Sequence, residues 1–149
     1  MVRTIPSRRR KGVIMILFTM MLLFVVLPAV GLAIDSGVLF VVKDKMQTAV
    51  DGASLAAARS LSRGTDFSSQ QAAAITTARK IYHINMENGF MGSHSIGEPV
   101  VTFPAGAPQT MVVQVDAEAE APTLFMRILG PTSVTMRTRS QTTRRFVNI

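Results

Sequence analysis

Two histidines, nine carboxylates and no cysteine are the groups with which this chain of 149 residues could do chemistry. Neither His83 nor His94 has a second histidine or a carboxylate at the spacing a metal ion requires, so both read as surface or loop residues. Asp116, Glu118 and Glu120 alternate with apolar residues, which makes them the solvated face of a strand. Without cysteine there is neither a disulfide framework nor a thiolate metal site. No phosphate-binding glycine loop, nucleophile elbow or zinc signature occurs, so an enzyme reading has no starting point and no cofactor is expected. Met15, Met20 and Met21 stand in an apolar run, where soft packing explains them better than a metal path.

Two other groups of residues invite a chemical reading. Asp66-Phe67-Ser68-Ser69 offers the carboxylate and first hydroxyl of the metal loop of a von Willebrand type A domain, but the second serine is one place early and no strand precedes it. The net charge of +7 suggests a polyanion until its distribution is considered. Arg3, Arg8, Arg9, Arg10 and Lys11 crowd the first eleven residues, leaving eleven positive and nine negative charges in the other 138. A basic cluster directly before an apolar run fits cytoplasmic retention and anionic lipid headgroups, not nucleic acid.

That run is Gly12 to Ile34, 23 residues without a charge. As a helix it extends about 34 Å, enough for a hydrocarbon core of about 30 Å. Gly31-Leu32-Ala33 has the small residues of a signal-peptide cleavage site, yet the run exceeds a signal core and apolar sequence continues through Val42, so retention of the span is expected. Arg8, Arg9, Arg10 and Lys11 set the topology, with the N-terminus inside. Pro28 removes one backbone donor and is expected to bend the helix. Asp35 falls at the outer interface, where its carboxylate is expected to reach water.

Beyond Val42 the pattern turns amphipathic with no breaker. Met46, Val50, Ala53, Ala57 and Leu61 recur on one face, flanked by Ala49 and Ala56, a small-sided stripe suited to close helix packing within the chain or against a neighbour. Arg63-Gly64 ends this helix, and Ser68 with Gln71 can form a capping box for a second one near residues 69–87, with Ile75, Ala78, Tyr82 and Met86 on one face. The three glycines between Gly89 and Gly97 mark a loop. Met111 to Glu120 then alternates with the two-residue period of a half-buried strand, and a shorter strand is expected near Val100 to Phe103. Pro122 opens a short helix of about nine residues, closed by Gly130-Pro131, before a Thr-rich strand from Thr132 to Thr143. The connection is too short for a parallel return, so the two long strands should pair antiparallel, with Asp116 and Glu118 facing Arg137 and Arg139.

With these residues in place, the N-terminal part resembles the TadE/TadG-like family of the tight-adherence (Flp) pilus machinery. The resemblance is carried over residues 8 to 58 by Gly12 after basic residues, a span containing Pro28, then Asp35, Gly37 and Phe40 in the order of the family's Asp-x-Gly and aromatic. Gln47, Ala49, Asp51, Ala53, Leu55 and Ala56 are similar to its Gln-x-Ala-Asp-Ala-Ala-Ala-Leu-Ala stretch. APTLFMRILG before a Thr-rich strand resembles the C-terminal end of TadG-like proteins. Prepilins cut after a glycine usually hold a glutamate five residues later, whereas here Leu17 stands there, so an uncut N-terminus is expected. The inserted von Willebrand type domain of longer relatives has no room in this chain.

The resemblance implies a non-enzymatic minor pilin-like or assembly component of a Tad/Flp type IVb pilus system. Its expected partners are membrane lipid and other pilus or pseudopilin subunits. The expected fold is α+β and pilin-like: a long N-terminal transmembrane helix continuing into a periplasmic helix, a second helix, then a small antiparallel sheet with a short helix. Residues 1–11 form a cytoplasmic tail, 12–42 the transmembrane helix and 43–149 the extracytoplasmic domain, placing the protein in the bacterial inner membrane as a single-pass protein. A membrane-anchored envelope binding module unrelated to pili is the alternative.

Overall fold

Between Gly12 and Ser60 Pro28 opposes helix formation most strongly, in a stretch otherwise dominated by apolar and alanine-rich sequence. In the computed structural model, which describes residues 8–62, 66–106, 110–128 and 130–145, this stretch is helical throughout. Helix α1 (Arg8–Met21) passes through a π-helical turn (Leu22–Val26) into α2 (Leu27–Ser60). Proline cannot donate to the carbonyl four residues back. The wider turn just before Pro28 shifts the hydrogen-bond register there, and Pro28 becomes one of the first residues of α2. The basic tail lies partly outside the described residues, which begin at Arg8, and the expected helix end at Arg63-Gly64 lies outside them too.

Helix α3 (Phe67–Asn85) returns along α2. Its cap differs from the expected Ser68 and Gln71. Asp66 is the N-cap, its carboxylate accepting from the Ser69 backbone N–H at 3.4 Å, while the Ser69 hydroxyl accepts from the Asp66 N–H at 3.3 Å. An ionised carboxylate is the better partner for the unpaired donors of a helix start, so the helix begins two residues early. The residues that suggested a metal loop are this cap.

Among the described residues four strands follow: β1 (His94–Ser95), β2 (Val100–Thr102), β3 (Thr110–Pro122) and β4 (Ser133–Arg145). β3 and β4 pair antiparallel along their whole length, from Thr110 opposite Arg145 to Pro122 opposite Ser133. β1 and β2 pair antiparallel with β3 as well, opposite Ala119–Glu120 and Gln114–Asp116. The segment Gly89 to Gly97, expected to be loop, holds β1 and a 3-10 turn (Phe90–Gly92) entered through Gly89 at φ +91°.

The expected nine-residue helix after Pro122 is a three-residue 3-10 turn (Met126–Ile128). The hairpin continues past its last strand pair, with the Thr123 N–H donating to the Thr132 carbonyl at 3.1 Å, so too few residues remain for a longer helix.

The core lies between α2, α3 and one face of the sheet. Met46, Ala49, Val50, Ala53 and Ala57 from α2, with Leu61 just past its end, meet Ala74, Ala78, Tyr82 and Met86, and then Val113, Val115, Ala117, Ala119, Ala121 and Met136. The small stripe therefore packs within the chain. On the other sheet face Asp116 stands opposite Arg139 (2.5 Å) and Glu118 opposite Arg137 (2.8 Å), as the alternation required.

Candidate functional site: a clasp between the long helix and the hairpin tip

Gly31 and Asp35 are four residues apart and therefore share one face of α2. Both are buried, Asp35 with 2% of its surface exposed. The expectation that this carboxylate reaches water is corrected by what covers it, the tip of the β3–β4 hairpin. One carboxylate oxygen accepts from the Leu124 N–H at 2.9 Å, and the other from Phe125 at 2.9 Å and Met126 at 2.6 Å. These are three consecutive donors at the start of a 3-10 turn, where no earlier carbonyl is in reach. An ionised acceptor is the strongest partner available to them.

Gly31 completes the contact by having no side chain. A Cβ there would lie 2.6 Å from Cγ of Phe125 and 2.7 Å from its Cβ, closer than packed atoms come. The ring of Phe125 thus rests on the helix backbone, one turn below the carboxylate that holds its own N–H. The neck of the tip is tied separately, through the Thr123 hydroxyl donating to the Pro131 carbonyl at 2.6 Å.

At its far end the same hairpin grips the helix again. Arg144 Nη1 donates to the carbonyls of Ala58 (3.0 Å) and Arg59 (3.2 Å), acceptors left open at the C-terminal end of α2. Between the two ends, the Ser54 hydroxyl meets those of Ser140 (3.0 Å) and Thr142 (2.8 Å), and Gln47 accepts from the Thr138 hydroxyl.

The residues singled out in the sequence divide by the direction they face. Asp35, Ala49 and Ala53 are buried against the domain, and half-buried Gln47 bonds both Thr138 and Asp51. Gly12, Pro28, Gly37, Phe40, Asp51 and Leu55 face outward, Phe40 with 72% of its surface exposed, and Ala56 is half-buried. Arg8, Arg9, Arg10 and Lys11 continue the helix backbone away from the domain. Gly31, Leu124, Phe125 and Met126 escaped the sequence reading as members of one site. The only local signals were the small residue a turn before Asp35 and an apolar segment between two strands.

Elsewhere each histidine pairs with a glutamate: His83 Nε2 lies 2.9 Å from exposed Glu98, and His94 Nε2 lies 3.5 Å from half-buried Glu120. Among the described residues no group of three or more histidine or acidic side chains is placed to hold a metal. Burial alone would raise the Asp116 carboxyl, but hydrogen bonds from Arg139 and Gln114 and the Arg139 charge hold it below its ordinary value. Hydrogen bonds from the Ser68 hydroxyl, then from the Ser69 side chain and backbone, bring Asp66 down to about 2.

Residues 12–60 match the model of the Tad family, described as Flp pilus-assembly TadE/G-like. The matched stretch starts with the apolar run and stops where α2 stops. No curated protein and no solved structure matches the chain. One helix among the described residues, Gly12–Ser60, is long and apolar enough to cross a membrane.

Proposed function

We propose that this chain is a non-enzymatic, minor pilin-like or assembly component of a Tad/Flp type IVb pilus system. The observation that carries the reading is the family match over residues 12–60, the same residues that form the apolar helix and present Asp35 to the hairpin. In this reading residues 1–11 stay in the cytoplasm, the run from Gly12 anchors the protein in the inner membrane, and the α+β domain stands outside. Domain contacts already begin at Gly31, within the segment 12–42 assigned to the transmembrane helix. The outward residues Gly37, Phe40 and Leu55 lie on the side of α2 that the domain leaves free, and they offer other pilus subunits a helical face for packing.

Affinity purification of the tagged chain from membranes of cells making the pilus tests this. Recovery of pilus subunits or of the assembly ATPase is expected, with an intact mass that retains residues 1–11. Recovery of unrelated envelope proteins alone would favour an envelope binding module. A reporter fused after Ile149 that works only in the cytoplasm would contradict the topology.

A further inference from the structure

The hairpin tip carries more exposed apolar surface than a turn in water needs. Leu124 is 62% exposed, Phe125 42% and Ile128 83%, and no acidic residue occurs from Ala121 to Thr132. Phe125, Met126 and Ile128 form one wall of a groove of about 280 Å³ whose other wall is Leu23, Leu27, Pro28 and Leu32. Those four belong to the charge-free run. Leu23 is its middle residue, so the groove reaches from the outer end of the run toward its centre.

We propose that residues 124–128 are a membrane foot: Leu124, Phe125 and Ile128 enter the outer leaflet beside the span, and acyl chains fill the groove between them. The inference rests on the membrane-anchor reading above. Two observations select lipid as the occupant. The groove is continuous with the span surface that the bilayer covers, so whatever solvates Leu23 and Leu27 also solvates Ile128. Most backbone N–H groups of residues 124–128 are satisfied without water. Non-helical chain can lie at that depth only where its polar groups are satisfied within the protein. Asp35 accepts from the N–H groups of Leu124, Phe125 and Met126, and the Ile128 N–H donates to the Phe125 carbonyl at 3.1 Å. Arg127, exposed in the same turn, has a stem long enough to bring its charge up to the headgroups while its neighbours go down.

The chain has no tryptophan, so single reporters need no background correction. The full chain carrying Ile128→Trp, and separately Leu124→Trp, is reconstituted into phosphatidylcholine–phosphatidylglycerol vesicles with plain or acyl-brominated lipid. Phe18→Trp in the span and Phe67→Trp at the start of α3 serve as references. The foot predicts a blue-shifted emission from Ile128→Trp and Leu124→Trp that brominated lipid quenches to an extent comparable with Phe18→Trp, while Phe67→Trp is unaffected. Quenching at Phe18→Trp without quenching at the tip overturns the foot and leaves the anchor standing. A blue-shifted tip emission that lipid bromine leaves intact assigns the groove to a second copy or another protein, which also overturns it. Loss of quenching at Phe18→Trp as well brings down the anchor and the foot together. Should both tryptophan variants misfold, Ile128→Cys in this cysteine-free chain takes a nitroxide, and the foot then requires it to collide more with oxygen than with an aqueous nickel chelate.

Discussion

Around Gly31 and Asp35 the long helix is held by three hydrogen bonds and one aromatic ring, whereas from Val42 to Leu61 it is held mainly by close packing of apolar side chains, with hydrogen bonds at Gln47, Ser54, Ala58 and Arg59 along the hairpin. The first attachment is directional and depends on a single carboxylate. The second is spread over many atoms, each contributing a fraction of a kcal/mol. In the anchored reading proposed above, hydrogen bonds fix the position of the tip beside the span, where apolar contacts would gain nothing over lipid tails. Apolar packing does the same work where water is the competing solvent.

Of the two attachments, the packed one should respond most to a single substitution. Tyr82→Ala removes the largest fully buried side chain among the described residues, and with it the hydroxyl contact to Ser95 at 3.2 Å. A loss of about 3–5 kcal/mol in domain stability is expected from denaturant unfolding of the micelle-bound chain.

Gly31→Leu tests the other attachment. Overpacking against Phe125 should cost about 1–3 kcal/mol. Because the tip is displaced while α2, α3 and the sheet remain, amide exchange should speed up at Leu124, Phe125 and Met126 and change little at Val113 and Val115. Asp35→Asn should give the same local pattern, since an amide has one acceptor oxygen and turns a donor toward N–H groups. Uniformly faster exchange in either variant would show that clasp and core are one cooperative unit.

Acidification discriminates next. Both Asp66 and Asp116 have carboxyls held below their ordinary value in the fold. Their contribution is complete above the ordinary carboxylate pKa of 3.8 and disappears as pH falls toward the folded value, about 2 for Asp66. A melt by circular dichroism between pH 5 and 2, conditions chosen to bracket about that range, should show stability falling, with a shallower fall in Asp66→Asn.

The smallest effect is expected at the sheet surface. Arg137→Glu with Arg139→Glu places like charges opposite Glu118 and Asp116, a change of about 0.2–1 kcal/mol per pair. Adding Asp116→Lys and Glu118→Lys should restore the original melting temperature. Failure to restore it would mean that the ion pairs do not act through their mutual charge.

Periodicity made the packed attachment readable in advance. The spacing of Met46, Val50, Ala53, Ala57 and Leu61 and the alternation from Met111 to Glu120 each point to one buried face, and chain length alone required β3 and β4 to run antiparallel. The clasp carries no such periodic signal. Asp35 and Phe125 are 90 residues apart, and the pairing follows from where the hairpin ends, not from either local sequence. The cap of α3 was misplaced by two residues for a related reason. Ser68 with Gln71 and Asp66 with Ser69 both satisfy helix-start chemistry, and only three-dimensional placement decides between them.

The two ends of the hairpin touch the helix at Asp35 and at Ala58, which lie roughly 35 Å apart along a helix rising about 1.5 Å per residue. A strand of 13 residues spans roughly 40 Å, so the hairpin is about as long as the helix segment beside it. Mechanically it is a splint. The hairpin braces α2 at Asp35 and again at Ala58, so bending of the helix between these two points is resisted by the stiffness of a paired two-stranded ribbon.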